Sequence, residues 1–521
     1  MKKLLLIFAA TAALQAQKFY PDDPILVDPP PHDAGKPARR KLSDWYDLFW
    51  NILATPGEKQ PRTGAPIRAR NVNTLGDPMD GAWYVRRHYW RRMSIEELQR
   101  GAGGTAPPVP PWTVVAAKGE GITPGFTVID ATKRRFFIKL DPKSNPEMMT
   151  AAEVISARFF HALGYHVADE YIVEFHPRDL VIQDRLAFVN QHGLQRPFTS
   201  RNLTELLLKA PQLKNGRYRA VASLALEGQP LGPFRWFGTR SDDPNDTVPH
   251  EHRRELRAAH AFFAWLDHDD SRAINTLDTL VSRDGRTFIR HHLLDFGSTL
   301  GSGSDKPNSP RSGAYLFDWR DSAIQVASLG FVIPYWAKAH YPRYPSIGLF
   351  ESKVFDPEKW LPEYPNPALL NRLPDDEFWG AKQVMNFTDE EIRAVVRAGR
   401  LSDPQAEDYL VRCLIERRDK IGRAYFQKVL PLDRFEVRGG ELAFEDLAAR
   451  HGLPSPAPYG ISWREFDNRK QAPGAVLATG PGLPAAASEY IMAEIASPRR
   501  PGQSVRVWLR GGRVVGVEYA W

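Results

Sequence analysis

The chain has 521 residues, of which 42% are hydrophobic and 25% charged, a balance that excludes a disordered or collagen-like chain and points to an ordinary globular protein. Lysine plus arginine exceeds aspartate plus glutamate by 69 − 62 = 7, a modest surplus spread over the whole chain that is weak evidence for any polyanionic partner. Cys413 is the only cysteine, so no intrachain disulfide can form, and the length implies two or three domains rather than one core.

The chain opens with Lys2 and Lys3, an apolar run over 4–14 that is too short to span a bilayer, and a loosely small-residue site at Leu14-Gln15-Ala16. This pattern reads as a cleavable signal peptide over residues 1–16, and no cysteine stands where a lipoprotein anchor would need one. The expectation is a periplasmic or secreted bacterial protein with no transmembrane span in the mature chain. Residues 17–111 are rich in proline and large aromatics, among them Trp45, Tyr46, Phe49 and Trp50, and read as an extension that wraps over a domain and buries its rings on it. Ser94 with Glu97 forms a capping box that predicts a helix start there. Arg86, Arg87, Arg91 and Arg92 lie among Trp83, Tyr84, Tyr89 and Trp90, but export and a solvated face account for them, so no nucleic acid partner is expected.

Three strands are predicted at 113–117, 125–129 and 134–140, then a helix over 148–163 with Ile155, Phe159 and Leu163 at four-residue spacing, then strands at 167–175 and 219–226. An amphipathic helix over 250–266 turns Leu256, Ala259, Phe263 and Leu266 to one side. Two short strands, 275–281 and 286–294, flank the hairpin dipeptide Asp284-Gly285. After a Gly/Ser/Pro-rich loop at 301–313 the chain is mainly helical to about 430, with a second capping box at Thr388 and Glu391. The tail carries a hairpin, 505–509 with 514–519, that turns at Gly511-Gly512.

The most informative stretch is His268-Asp269-Asp270-Ser271-Arg272-Ala273-Ile274-Asn275, with Asp295-Phe296-Gly297 following twenty residues after the asparagine. Phosphoryl transfer needs one carboxylate to orient or deprotonate a hydroxyl, and an Asn and a second Asp to hold a divalent cation on a triphosphate. Upstream, the strand Phe136-Phe137-Ile138-Lys139-Leu140 carries one ammonium among apolar residues. A buried lysine needs a carboxylate partner, and Glu153 in the next helix is the expected one, with Glu147 second. Gly119, Gly121 and Gly125 join two strands just before Lys139, where backbone amides can cover phosphates.

In these motifs the chain resembles the protein-kinase-like superfamily. Asp270 and Asn275 keep the spacing of the family's catalytic loop H-R-D-x-x-x-x-N, and Asp295-Phe296-Gly297 matches its metal loop in full. Asp269 replaces the loop arginine, which removes the group that reads activation-loop phosphorylation, and no A-P-E motif follows Asp295. Those departures resemble the atypical HipA-type, CotH-type and secretory-pathway branches. The resemblance covers roughly 112–430. It implies an α+β, two-lobed kinase-like fold: signal peptide 1–16, N-terminal extension 17–111, small lobe 112–228, large lobe 229–430 with 229–246 as an insertion, and a small α/β tail 431–521. The implied activity is an exported ATP-dependent phosphotransferase acting on an unknown acceptor that is a protein, sugar or lipid. Asp270 would be the base, Lys139 with Glu153 and the three glycines would hold ATP, and Asn275 with Asp295 would hold Mg²⁺ or Mn²⁺.

Two other readings compete. Asp242, Asp243 and Asp246 near His250 and His252, or the cluster Asp267 to Asp270, would suit a metal-dependent hydrolase, but Arg254 breaks the H-E-x-x-H pattern. A kinase-shaped protein that works by contacts alone is the other, since a fold does not settle its function.

Overall fold

The fold is taken from a computed structural model, which describes residues 17–104, 106–117, 124–189, 195–329 and 331–521, with the side chains of all but 189 and 320–322. It is a mixed α/β protein. By contacts the chain divides into two compact units, one of residues 26–72 with 78–428, the other of 17–25, 73–77 and 429–521.

The larger unit begins with a helix α1 (Asp44–Ala54), capped by Ser43, whose side chain accepts from the Tyr46 N–H. No helix is expected here from the sequence, and the rings expected to be buried are not: Trp45, Tyr46 and Phe49 are exposed, while the buried positions are the polar Asp47 and Asn51. The expected Ser94/Glu97 capping box starts α2 (Ile95–Arg100): the Glu97 N–H donates to Ser94 Oγ and the Ser94 N–H to the Glu97 carboxylate. Strands β1 (Trp112–Ala117), β2 (Gly125–Ile129) and β3 (Arg135–Leu140) lead into α3 (Met148–Ala162), which is followed by β4 (Glu170–Phe175) and β5 (Leu180–Ile182). A short pair β6 (Ala187–Val189) and β7 (Gln195–Pro197), the helix α4 (Ser200–Leu207) and β8 (Tyr218–Leu224) complete this part. Among the described residues six of these strands form one sheet in the order β4-β8-β3-β2-β1-β5, antiparallel except where β1 meets β5.

Alternation along β3 sends Phe136, Ile138 and Leu140 into the core, where they join Val114, Phe126, Val128, Phe175 and Ala222. Lys139 therefore stands on the other face. Helix α3 is buried almost all round, Arg158 and His161 being its partly exposed residues.

Strand β9 (Gln229–Gly232) lies in the stretch expected to be an insertion, but it pairs with β10 (Thr276–Arg283), which pairs in turn with β11 (Arg286–Leu293). Between β9 and β10 runs α5 (Arg254–Leu266). The sequence predicts an amphipathic helix here; all thirteen residues are buried instead. Its polar side tolerates burial because Arg254 meets Asp375 at 2.9 Å and Arg257 meets Asp376 at 3.5 Å. Both acids belong to α8 (Pro374–Met385), which comes after α6 (Trp319–Ala327) and the single turn α7 (Pro367–Leu370). The expected Thr388/Glu391 capping box begins α9 (Asp389–Arg397), and α10 (Pro404–Tyr425) closes the unit by packing on α8, α9 and α5.

In the smaller unit, β12 (Leu432–Arg438) pairs with β13 (Glu441–Asp446), which runs into the turn α11 (Leu447–Arg450). Strands β14 (Gly460–Asp467), β15 (Ala472–Thr479), β16 (Tyr490–Ala496), β17 (Ser504–Arg510) and β18 (Arg513–Ala520) form an antiparallel sheet in the order β15-β14-β16-β17-β18. The hairpin read from the sequence is thus one edge of a larger sheet. Phe19 is buried on it among Phe466, Tyr490 and Trp508, which is why residues 17–25 belong with the tail and not with the rest of the expected 17–111 extension.

Candidate functional site

Strand β3 brings Lys139 to the open face of its sheet, and α3 brings Glu153 beneath it. The Lys139 Nζ lies 2.8 Å from Glu153 Oε2 and 2.9 Å from Asp295 Oδ1, two carboxylates that are 14 and 156 residues away in sequence. The ion pair expected from the sequence is present. Burial works against the ammonium, but Asp295 and Glu153 outweigh it and hold the Lys139 pKa above the ordinary lysine range. Glu147, the second choice, accepts instead from the Ser402 N–H at 2.8 Å.

Asp295 follows β11 in the left-handed region, φ +59°, which a short polar side chain adopts at moderate cost. That backbone turn leaves the Asp295 side chain 47% exposed while Phe296 is buried. The Phe296 N–H donates to Glu153 Oε1 at 3.0 Å, so a single carboxylate receives both the strand lysine and the turn after Asp295. The Phe296 ring stacks on Phe160 of α3 at 4.7 Å and lies 5.7 Å from His268. Burial lowers the His268 pKa to about 4, so this ring is neutral and acts as a packing group.

The loop 267–275 begins where α5 ends, at Asp267 in the left-handed region. Its two ends are tied together: Asn275 Nδ2 donates to the Asp270 carbonyl at 2.7 Å, and the Leu294 N–H donates to the Asn275 carbonyl at 2.9 Å. Asn275 is therefore linked to the stretch that carries Asp295. Burial raises the Asp270 pKa, Arg272 opposes it, and the charge of Asp295 adds to it, which sets the two acids within electrostatic reach of one another. Lys139, Glu153, Asp270, Asn275 and Asp295 thus gather in one region. Gly125 sits directly across from Lys139 in the β2–β3 ladder. Gly119 and Gly121 lie outside the described residues.

Several residues that sequence reasoning overlooked complete the site. Arg272 Nε hydrogen-bonds Asp270 and lies 3.3 Å from Glu363, while its Nη1 lies 2.8 Å from Asp44 at the start of α1. Its place two residues after Asp270 was the available signal; nothing local marks Asp44 or Glu363. Burial, with Asp270 adding, pushes Glu363 up to about 7. Asp269, read as a lost arginine, has a positive role: its carboxylate accepts from Asn308 at 3.0 Å and from Ser312 at 2.7 Å, and its carbonyl accepts from the Glu363 N–H. It pins the 301–313 loop to the 267–275 loop. Behind Lys139, Glu170 of β4 accepts from Ser223 Oγ at 2.5 Å, and burial, with Glu153 adding, pushes it up to about 8.

The rival acid and histidine clusters are spent on internal pairs. Asp246 meets His250 at 2.8 Å, Asp242 meets Arg240 at 2.9 Å and His252 meets Glu58 at 2.7 Å. Among the described residues no group of three or more His, Cys, Asp or Glu side chains could by itself hold a metal ion. None of the helices among them is long and apolar enough to cross a membrane.

No family model matches the chain, and no curated protein matches it. Among solved structures, the Golgi casein kinase with Mn/ADP bound is 10% identical, the match covering 63% of this chain and 74% of that one, with a TM-score of 0.29. A second structure of the Golgi casein kinase is 9% identical over 64% of this chain and 75% of that one, again with a TM-score of 0.29. At that TM-score and identity the likeness is too loose to assign a fold or an activity.

Proposed function

We propose that the chain is an exported kinase-like phosphotransferase that uses ATP and a divalent cation, with the cleft lying between a small lobe built on β1 to β8 and a large lobe that begins near β9. One observation carries the reading: the Lys139 ammonium bonded to both Glu153 and Asp295. Two acids from distant parts of the chain, one buried and one 47% exposed, leave a lysine held rigidly with its second partner open to a ligand.

Glu153 fixes the position of Lys139, and Lys139 then presents its charge to phosphate oxygens. Asp295 and the side-chain oxygen of Asn275 are hard oxygen donors that suit Mg²⁺ or Mn²⁺, whose remaining ligands come from phosphates and water. Bound there, the cation would neutralise charge on the triphosphate. Asp270 orients the acceptor hydroxyl and takes its proton, and Arg272 holds that carboxylate in place. Gly119, Gly121 and Gly125 would cover the phosphates with backbone amides.

The test is turnover of radiolabelled ATP by the purified chain in Mn²⁺ or Mg²⁺. Asp270→Asn should retain nucleotide binding and lose at least 100-fold in turnover, as expected for removal of a general base. Asp295→Ala should lose both. Turnover that persists in both variants contradicts the proposal; nucleotide binding with no turnover in the wild type favours the contact-only reading.

A further inference from the structure

Helix α1 is built inside out. Trp45, Phe49 and Leu53 recur every four residues along one side and are 70%, 55% and 74% exposed, with Tyr46 beside them at 61%. The residues it buries are polar: Asp47 accepts from the Tyr364 hydroxyl at 2.8 Å, and Asn51 Nδ2 donates to the Asp47 carbonyl. An amphipathic helix on a globular protein does the opposite. The orientation is also held firmly, since Asp44 bonds Arg272 and Trp50 packs on Phe237 with centroids 5.7 Å apart. The apolar side is therefore left uncovered by the described residues.

A second exposed apolar stretch starts at the same point. Glu363 lies 3.3 Å from Arg272, the residue that Asp44 holds, and the Glu363 carbonyl accepts from the Leu316 N–H at 2.8 Å. From there the chain runs through Trp319, Val326, Leu329 and Phe331, which are 73%, 76%, 85% and 87% exposed. Large apolar side chains left this exposed on one helix side and the neighbouring stretch mark an interaction site.

Charge identifies the occupant. The six residues 36–41 just before α1 include Lys36, Arg39, Arg40 and Lys41, and of these Lys36, Arg39 and Lys41 are exposed. A basic run that leads into a short helix with Trp, Tyr, Phe and Leu facing outward is the combination that anionic lipid headgroups and the acyl boundary beneath them recruit. Trp and Tyr favour that depth because one end of each ring is apolar and the other polar. Neither α1 nor any other described helix can span the bilayer, so contact is with its surface. We infer that α1 and its basic lead-in, with Trp319, Val326, Leu329 and Phe331, seat the protein on an anionic bilayer, with the candidate site beside the contact. The inference stands on exposure and charge and not on the phosphotransferase reading.

Vesicle sedimentation without nucleotide tests it, which keeps its outcome separate from that of the proposed activity. The full chain is used for wild type and variants alike, so that residues 1–16 contribute equally. Wild type should bind phosphatidylcholine vesicles containing 30% phosphatidylglycerol at least ten-fold more tightly than pure phosphatidylcholine. Trp45→Ser/Phe49→Ser/Leu53→Ser should weaken that binding at least ten-fold with an unchanged melting temperature, because these side chains support no core. Lys36→Glu/Lys41→Glu should reduce the preference for anionic vesicles at least three-fold. Absence of binding to anionic vesicles, or equal binding by the serine variant, overturns the inference. So does a wild-type dimer in light scattering that the serine variant converts to monomer, which would give the face to a second copy of the chain.

Discussion

Lys139 sits between a carboxylate that is 1% exposed and one that is 47% exposed, and the two contacts differ in what they do for the fold. Glu153 is far from water and depends on the ammonium and the Phe296 N–H for compensation. Lys139→Met strands that carboxylate, which should cost about 3 kcal/mol in urea unfolding, since removal of one member of a buried pair leaves an uncompensated charge. Adding Glu153→Gln should recover part of the loss; a double variant as unstable as the sum of the two singles contradicts this coupling. Asp295 contributes little stability from its exposed position.

Glu170 gives a pH signature. Its pKa rises from the ordinary 4.5 to about 8, so in the folded state it keeps a proton that the unfolded chain releases. Stability is then fully present below about pH 4.5, falls as pH rises to about 8 and levels off above it. Glutamine cannot ionise, so Glu170→Gln should gain on wild type between pH 5 and pH 9 by on the order of 1–3 kcal/mol. Parallel stability curves would show that Glu170 ionises normally.

At this scale the sequence was informative where chemistry requires a particular side chain. A lysine in an apolar strand needs an acid, and Glu153 was the nearest in a helix that could supply one. Asp44 and Glu363 were out of reach because their association with Arg272 joins three segments that only the folded chain brings together.

Elements were legible where local rules decide them. Both capping boxes start helices at the expected residues, and the Asp284-Gly285 dipeptide turns β10 into β11. Local rules failed where tertiary context overrides them. Helix α5 looked half-exposed from its pattern, but its charged side is buried against acids of α8 about 120 residues away, and in the 17–111 stretch rings expected to be buried face outward on α1 because its polar Asp47 and Asn51 are the positions that pack inward. The turn after β11 is a place where element packing bears on the site. A Cβ on Gly297 would lie 3.0 Å from Met149 Cγ and 3.1 Å from Glu153 Oε2. Gly297→Ala should therefore cost about 1–2 kcal/mol in stability, an overpacking effect, and should weaken nucleotide-dependent stabilisation by displacing Glu153. Unchanged values for both would show that the turn yields without moving the carboxylate.

For the whole molecule, β1 to β4, α3 and β8 could be read in advance because each follows from a run of adjacent residues, whereas the short strands β5, β6, β7 and β9 and the helix α4 were not. That residues 17–25 and 73–77 group with the tail could not be read in advance. Residues 17–25 join the C-terminal sheet through Phe19, a contact across more than 440 residues that no periodicity reveals. Loop 301–313 likewise read as a spacer, and only the fold shows that its Asn308 and Ser312 hold Asp269.

Calorimetric titration of the full chain with ATP in millimolar Mn²⁺ is the most direct test that Lys139 and Asp295 form one nucleotide site. The account predicts saturable binding at one site by the wild type, weakened at least ten-fold by Lys139→Met and abolished by Asp295→Ala or by omission of the metal. Binding that is equal in the wild type and in both folded variants, or no binding by the wild type at millimolar nucleotide, would contradict it.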